Sequence, residues 1–195
     1  MVFYCGQLYV RQTERTMKYR ECAIFTGATF LVPESIQRIE SLSHGTSGAT
    51  YGWQVRYGED EPFFGDHSSD GSGAEAALAE ATQELIRRVH LLDAPTKLKR
   101  NISGSKMNNL PPGISGPSER RNKNRKVSEF SYQVVIPRFG EKPTNKRVYI
   151  GTENTYTEAR RDEALAKAIA MRNKAADAYQ EAATQARRAK TPKRA

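Results

Sequence analysis

The chain has 195 residues, with 31 basic against 22 acidic side chains, a formal charge of +9, a pI near 9.6 and a mean hydropathy of −0.72. Such a polar chain suits one domain or a few small ones, and no apolar run approaches the roughly 18 residues that a membrane-spanning helix needs. The first residues lack the basic segment of a signal peptide, and Cys5, Cys22 and the scattered His44, His67 and His90 have no metal-ligand spacing. The expectation is a cytoplasmic protein with reduced thiols, no cofactor, no metal and no membrane association.

The charge is unevenly placed. Residues 41–92 hold eight acidic side chains against three basic ones, residues 113–181 hold fourteen basic against nine acidic, and the last fourteen residues hold five cations and no acid. A basic second half behind an acidic middle points to a polyanionic partner for the second half.

In chain order, residues 1–42 contain three β-prone runs, at 3–10, 19–25 and 28–32, with a tight connection through Phe25-Thr26-Gly27-Ala28. Pro33 suits the first turn of a short helix with Ile36 and Ile39 facing inward. This reads as a β-hairpin-plus-helix unit that carries no nameable chemistry.

An internal repeat follows. Gly45-Thr46-Ser47-Gly48 recurs as Gly113-Ile114-Ser115-Gly116, and Trp53-Gln54-Val55 as Tyr132-Gln133-Val134. Phe63-Phe64-Gly65 then matches Tyr149-Ile150-Gly151, and Ala77-Leu78-Ala79-Glu80-Ala81 matches Ala164-Leu165-Ala166-Lys167-Ala168. Four pieces in one order indicate a duplication, over 43–92 and 113–181, each copy running strand, strand, strand, helix. The fold class is therefore α+β: two small units of a three-stranded antiparallel sheet packed on one helix, plus an N-terminal β-rich unit.

Each helix opens on a capping-box pattern, Ser72 to Glu75 and Thr155 to Glu158. Between the copies, 93–112 is a basic linker, and 117–128 is a cation-rich insert that extends from the second sheet as a mobile loop. Its Arg120, Arg121, Lys123, Arg125 and Lys126 are candidates for phosphate contact. The final helix outlasts any three-stranded sheet, stops before Pro192 and is expected to fray into a basic tail, residues 182–195, that adds nonspecific electrostatic affinity.

The centre of the second copy is Arg147-Val148-Tyr149-Ile150. Side chains alternate along a strand, so Val148 and Ile150 face the helix, where Leu165, Ala168, Ile169 and Arg172 fall at helical spacing. Tyr132, Val134 and Ile136 join them on the helix side. Arg147 and Tyr149 then share an uncovered face with Ser115, Gln133 and Val135, a face on which a partner would bind.

Arg147-Val148-Tyr149-Ile150-Gly151-Thr152, followed by Tyr156-Thr157-Glu158-Ala159 and an alanine-rich helix, resembles the AP2 DNA-binding domain of plant ethylene-response factors and of phage and mobile-element proteins. Gly113-Ile114-Ser115 resembles that family's first strand and Tyr132-Gln133-Val134-Val135-Ile136 its second, so the likeness covers about residues 113–180, with a weaker echo at 45–92. It implies a sheet lying in the DNA major groove, read by Ser115, Gln133, Val135, Arg147 and Tyr149, with Arg138 and Lys146 at strand ends. Val135 and Pro137 depart from the family, which often has an acid and an arginine there, and this implies a different target sequence. In the first copy the matching face would carry Ser47, Gln54, Arg56 and Phe63, with Glu61 in place of Arg147 beside Glu59 and Asp60. An acidic face repels phosphate, so this copy either binds weakly through Gln54 and Arg56 or serves protein contact.

No nucleophile–base pair, paired acids, phosphate loop or metal cluster can be read from the residues, so the chain is not expected to be an enzyme. The expected function is sequence-preferring binding of double-stranded DNA, as a nucleoid-associated phage or mobile-element transcription regulator. The alternatives are a protein-interaction module or inhibitor of a host protein acting through the acidic unit 43–92, and an RNA-binding protein, since a helix-backed sheet also serves RNA by shape. The sequence does not fix the oligomeric state.

Overall fold

The structure is a computed structural model describing residues 17–41, 50–68, 70–99, 101, 109–121 and 127–192. The chain divides into two compact units: one runs to Ala94 and takes in the end of the chain from Gln185, and the other is Pro95–Thr184. The fold is α+β, and the described residues form a two-stranded sheet, two three-stranded antiparallel sheets and two helices. The run at residues 3–10 lies outside the described residues.

In the first unit, β1 (Tyr19–Ala23) and β2 (Thr29–Pro33) form an antiparallel hairpin. Its turn needs a left-handed residue, supplied by Gly27 at φ +84. The short helix expected after Pro33 is instead a strand, β3 (Ile36–Ser41). Pro33 closes the β1–β2 ladder opposite Tyr19, and the two-residue turn Glu34-Ser35 leads straight into β3. The spacing of Ile36 and Ile39 fits a helix, but the β-branched residues sit on opposite sides of a strand. Ile36 is fully buried, and Ile39 lies opposite Gly52 on the other face.

β3 therefore supplies the first strand of the first copy, ahead of the assigned boundary at 43, and Gly45-Thr46-Ser47-Gly48 falls outside the described residues. β3 pairs with β4 (Thr50–Val55), which pairs with β5 (Phe63–Gly65), and helix α1 (Ala74–Leu91) covers one side. Trp53 and Val55 meet Ala77, Ala81, Leu85 and Val89 there, joined by Met17, Ile24 and Val32. Small alanines let the helix lie close, and the Trp53 indole N–H donates to the carbonyl of Ala74 at 2.8 Å.

Arg38 stands opposite Trp53 on this inner side. It donates to both carboxylate oxygens of Asp66, at 2.8 and 2.6 Å, and to Glu40, and its guanidinium sits 4.9 Å from the Trp53 ring centroid. A forked, planar guanidinium suits such a site, where it stacks and pairs at once. The chain from Asp66 into α1 passes tightly: a Cβ on Gly73 would lie 1.8 Å from the Asp66 carbonyl oxygen. Gly73 is the N-cap and makes no side-chain cap bond, so the capping box expected at Ser72 does not form.

The expected fraying tail is likewise absent where residues are described. Arg187 donates to the Ser35 hydroxyl, Arg188 to the carbonyls of Val89 and Leu92, and Thr191 to the carbonyl of Arg187. These cations are spent on the first unit's own backbone and hydroxyl groups.

In the second unit, β6 (Ile114–Arg121), β7 (Ser128–Ile136) and β8 (Thr144–Thr152) form the sheet, and α2 (Glu158–Ala189) begins beside it. Residues 117–121, expected within a mobile loop, are the outer half of β6. Ile114, Tyr132, Val134, Val148 and Ile150 are buried with Ala164 and Ala168, as the alternation requires. Phe130 and Tyr156 meet edge to face at 5.0 Å and close the end of this core. The α2 cap is displaced by two residues from the expected box. The Arg160 N–H donates to the Thr157 hydroxyl, while the Thr155 hydroxyl accepts from the Thr152 N–H and tightens the turn leaving β8.

Asp66 is fully buried and the Arg38 side chain 6% exposed. Replacing Asp66 by Ala leaves an uncompensated buried cation, and the first unit is expected to lose about 3–5 kcal/mol in urea unfolding of the full chain. Glu84 accepts from both Arg87 and Arg88 at 2.6–2.7 Å, and these guanidiniums pull its carboxyl down to about 2 from an ordinary 4.5. The depressed pKa makes this stabilisation complete above pH 4.5 and lost as pH falls through about 2. Glu84→Gln should therefore be less stable than the parent at pH 7, with the gap closing in denaturation curves taken near pH 2.

Candidate nucleic-acid interface

The uncovered side of the second sheet is built by register. Gln133 in β7 stands opposite Ser115 in β6 and opposite Arg147 in β8. Residues directly opposite share a face, so Ser115, Gln133 and Arg147 form one row across all three strands. All three are exposed. Ser131 and Tyr149 make the next row, with Tyr149 56% exposed, and Val135 and Asn145 the row on the other side. The structure thus brings together Ser115, Gln133, Val135, Arg147 and Tyr149. It adds Ser131 and Asn145, which strand alternation from Gln133 and Arg147 could have supplied.

The other cations are placed differently. Arg138 lies in the β7–β8 turn, ion-paired with Glu141 at 2.5 Å. Lys146 stands opposite the buried Val134, so its register is that of the helix side, though it is exposed at the strand edge. β6 has an extra residue between Ser115 and Ser118, after which Arg120 lies opposite Glu129 and Arg121 opposite Ser128. Arg120 keeps the face of Gln133, at its far end and beside an acid, whereas Arg121 does not. Lys123, Arg125 and Lys126 lie outside the described residues.

Among the described residues, the unit's other ion pairs join Arg161 to Glu158 and Asp162, and Lys167 to Glu163. Arg147 takes part in none of these. Its charge faces solvent on a sheet held stiffly from behind.

Part of that stiffness comes from Arg172, to which the sequence assigned only a place in the helical spacing. From α2 its guanidinium donates to the carbonyls of Pro112 at 3.2 Å and Val135 at 3.0 Å, joining the entry to β6 with the end of β7. Gly113, at φ +80, is the residue between Pro112 and β6, and a Cβ there would lie 2.6 Å from Arg172 Nε. Burial without a carboxylate pushes the Arg172 pKa below its usual value.

The first unit presents a related face with two differences from expectation. Gln54 stands opposite Gln37 and Phe63 just as Gln133 stands opposite Ser115 and Arg147. Phe63, not Glu61, therefore occupies the Arg147 position, and the third-strand match moves by two residues. Glu59, Asp60 and Glu61 precede β5 in the connection from β4, where the Asp60 carbonyl accepts from Arg88 at 2.6 Å. Glu59 and Asp60 precede the strand, but the Val55 N–H donates to the Pro62 carbonyl and extends the pairing, so that Glu61 falls opposite Arg56. The face also carries Gln54, whose side-chain oxygen accepts two bonds from Arg56 at 3.3 Å, and Phe63, whose ring lies over Gly52. Ser47 lies outside the described residues.

Among the described residues, no group of three His, Cys, Asp or Glu side chains is placed to hold a metal ion, and no helix is long and apolar enough to cross a membrane. No protein-family model, curated protein or solved structure matches the chain.

Gly113→Ala imposes both a strained φ and a collision with the clamp formed by Arg172. The second unit is expected to lose about 1–3 kcal/mol, measured as a shift of its denaturant midpoint.

Proposed function

We propose that the chain is a sequence-preferring double-stranded DNA-binding protein that lays β6–β8 into the major groove, as a regulator of a phage or mobile element. The observation that carries this reading is the row Ser115–Gln133–Arg147, exposed on one face of a helix-backed sheet with Arg147 outside the unit's ion pairs. Adjacent strands lie about 4.8 Å apart, so the row is about 10 Å across, within a major groove about 12 Å wide. Gln is suited to adenine and Arg to guanine through paired hydrogen bonds, and the Tyr149 ring beside them supplies a flat apolar surface. The AP2-like sequence pattern supports the same side of the sheet. Gln54 and Arg56 of the first unit are auxiliary contacts in this reading. The protein acts by binding, with no chemical step and no cofactor.

A second reading, protein docking by the first unit, rests on the exposed Glu59, Asp60 and Glu61 in the β4–β5 connection. Mobility-shift titrations on a pool of random duplexes separate the two. Duplex DNA should be bound with a steep salt dependence, Arg147→Ala should cost about 1–3 kcal/mol, and Arg147→Ala/Tyr149→Ala should abolish enrichment of any motif. Equal binding by parent and double variant overturns the proposal, and stronger competition by duplex RNA than by duplex DNA reassigns the nucleic acid.

A further inference from the structure

On the helix side of the second sheet, away from the proposed DNA face, a cavity of ≈ 290 Å³ opens beside Arg172. Pro111 and Pro112 form part of its wall, Arg172, Asn173 and Asp177 line it from α2, and Lys99 contributes from the segment before β6. Arg172 is only 8% exposed. A guanidinium has five N–H donors, and here the Nε donor goes to Pro112 and one on Nη1 to Val135. Among the described residues, no carboxylate accepts from the remaining donors. Burial destabilises the Arg172 charge and pushes its pKa below the usual value, with no acid offsetting it.

A buried cation is costly unless an anion or hydrogen bonds compensate it. Two backbone carbonyls do part of that work. The cavity leaves room for the rest, and two more groups in its wall, the Lys99 ammonium and the Asn173 amide, are hydrogen-bond donors.

The geometry points to a binding site for a small oxyanion-bearing ligand, a carboxylate or a phosphate monoester, seated between Arg172, Lys99 and Asn173. Guanidinium pairs with planar or tetrahedral oxyanions through two parallel N–H bonds. The volume is at the lower end of ligand pockets, which excludes large cofactors. The site differs from the DNA face in its residues, its side of the sheet and its ligand.

The test uses the full chain without DNA, so its outcome is separate from that of the duplex titrations. Amide and guanidinium NMR spectra are followed while sodium phosphate, or in a second series sodium acetate, replaces sodium chloride at constant ionic strength. Saturable shifts confined to Gly113, Asn173 and the Arg172 Nε–H are expected. Lys99→Ala should weaken the apparent Kd several-fold, and Lys99 is exposed enough to leave the fold intact. Saturation with phosphate alone assigns a phosphate ester, with acetate alone a carboxylate, and with both a general oxyanion site. Linear shifts that match the chloride series, shifts spread over the exposed lysines, or a Kd indifferent to Lys99→Ala would overturn the inference.

Discussion

The second unit depends on how closely a helix can approach a pleated sheet. Ala164 and Ala168 present only methyl groups to Val148, Ile150, Tyr132 and Val134, so the aliphatic side of the sheet is sealed by the helix backbone itself. With one side sealed, a one-residue slip of β8 would exchange Val148 for Arg147 in the core. Register is thus enforced by burial, and Arg147, Tyr149 and Gln133 are held outward because the alternative would bury a cation without a partner. The proposed reading face is the complement of a well-determined core.

Arginine serves three different ends in this chain. Arg38 is a core residue, charge-compensated by Asp66 and stacked near Trp53. Arg88 and Arg172 leave their helices to cap carbonyls at strand ends, Tyr57 and Asp60 in one unit, Pro112 and Val135 in the other. Arg147 alone of these four lies on an open sheet face. A cation in the sequence is therefore a poor guide to the binding surface by itself, since Arg38, Arg88, Arg172, Arg187 and Arg188 are all consumed internally.

Side-chain alternation was legible wherever both faces of a strand had contrasting neighbours. Val148 and Ile150 inward against Arg147 and Tyr149 outward required nothing beyond the pleat. Ile36 and Ile39 show the opposite case: a spacing of three beside a proline mimics a helix, and only the partner strand across the sheet, with Trp53 opposite Arg38, decides for β3. The third strand of the first copy was misplaced by two residues because Phe63-Phe64-Gly65 and Tyr149-Ile150-Gly151 look alike in composition. Pairing with Gln54 sets the register, and pairing is invisible in one strand. The Thr155 box failed for a related reason, as its hydroxyl found a nearer N–H in the turn at Thr152. Arg172 as a clamp was unreadable, since its acceptors are backbone carbonyls far away in sequence.

The first unit is closed by residues that are synthesised long after the rest of it. Arg187 reaches the Ser35 hydroxyl, Arg188 the carbonyl that follows α1, and the Pro192 carbonyl lies 3.0 Å from His90 Nε2. A nascent chain that has already emitted its first hundred residues still lacks these closing contacts. The amino-terminal half thus reaches its finished form only after translation has run to the end of α2, and a ribosome that stalls early releases a unit with its own last contacts missing.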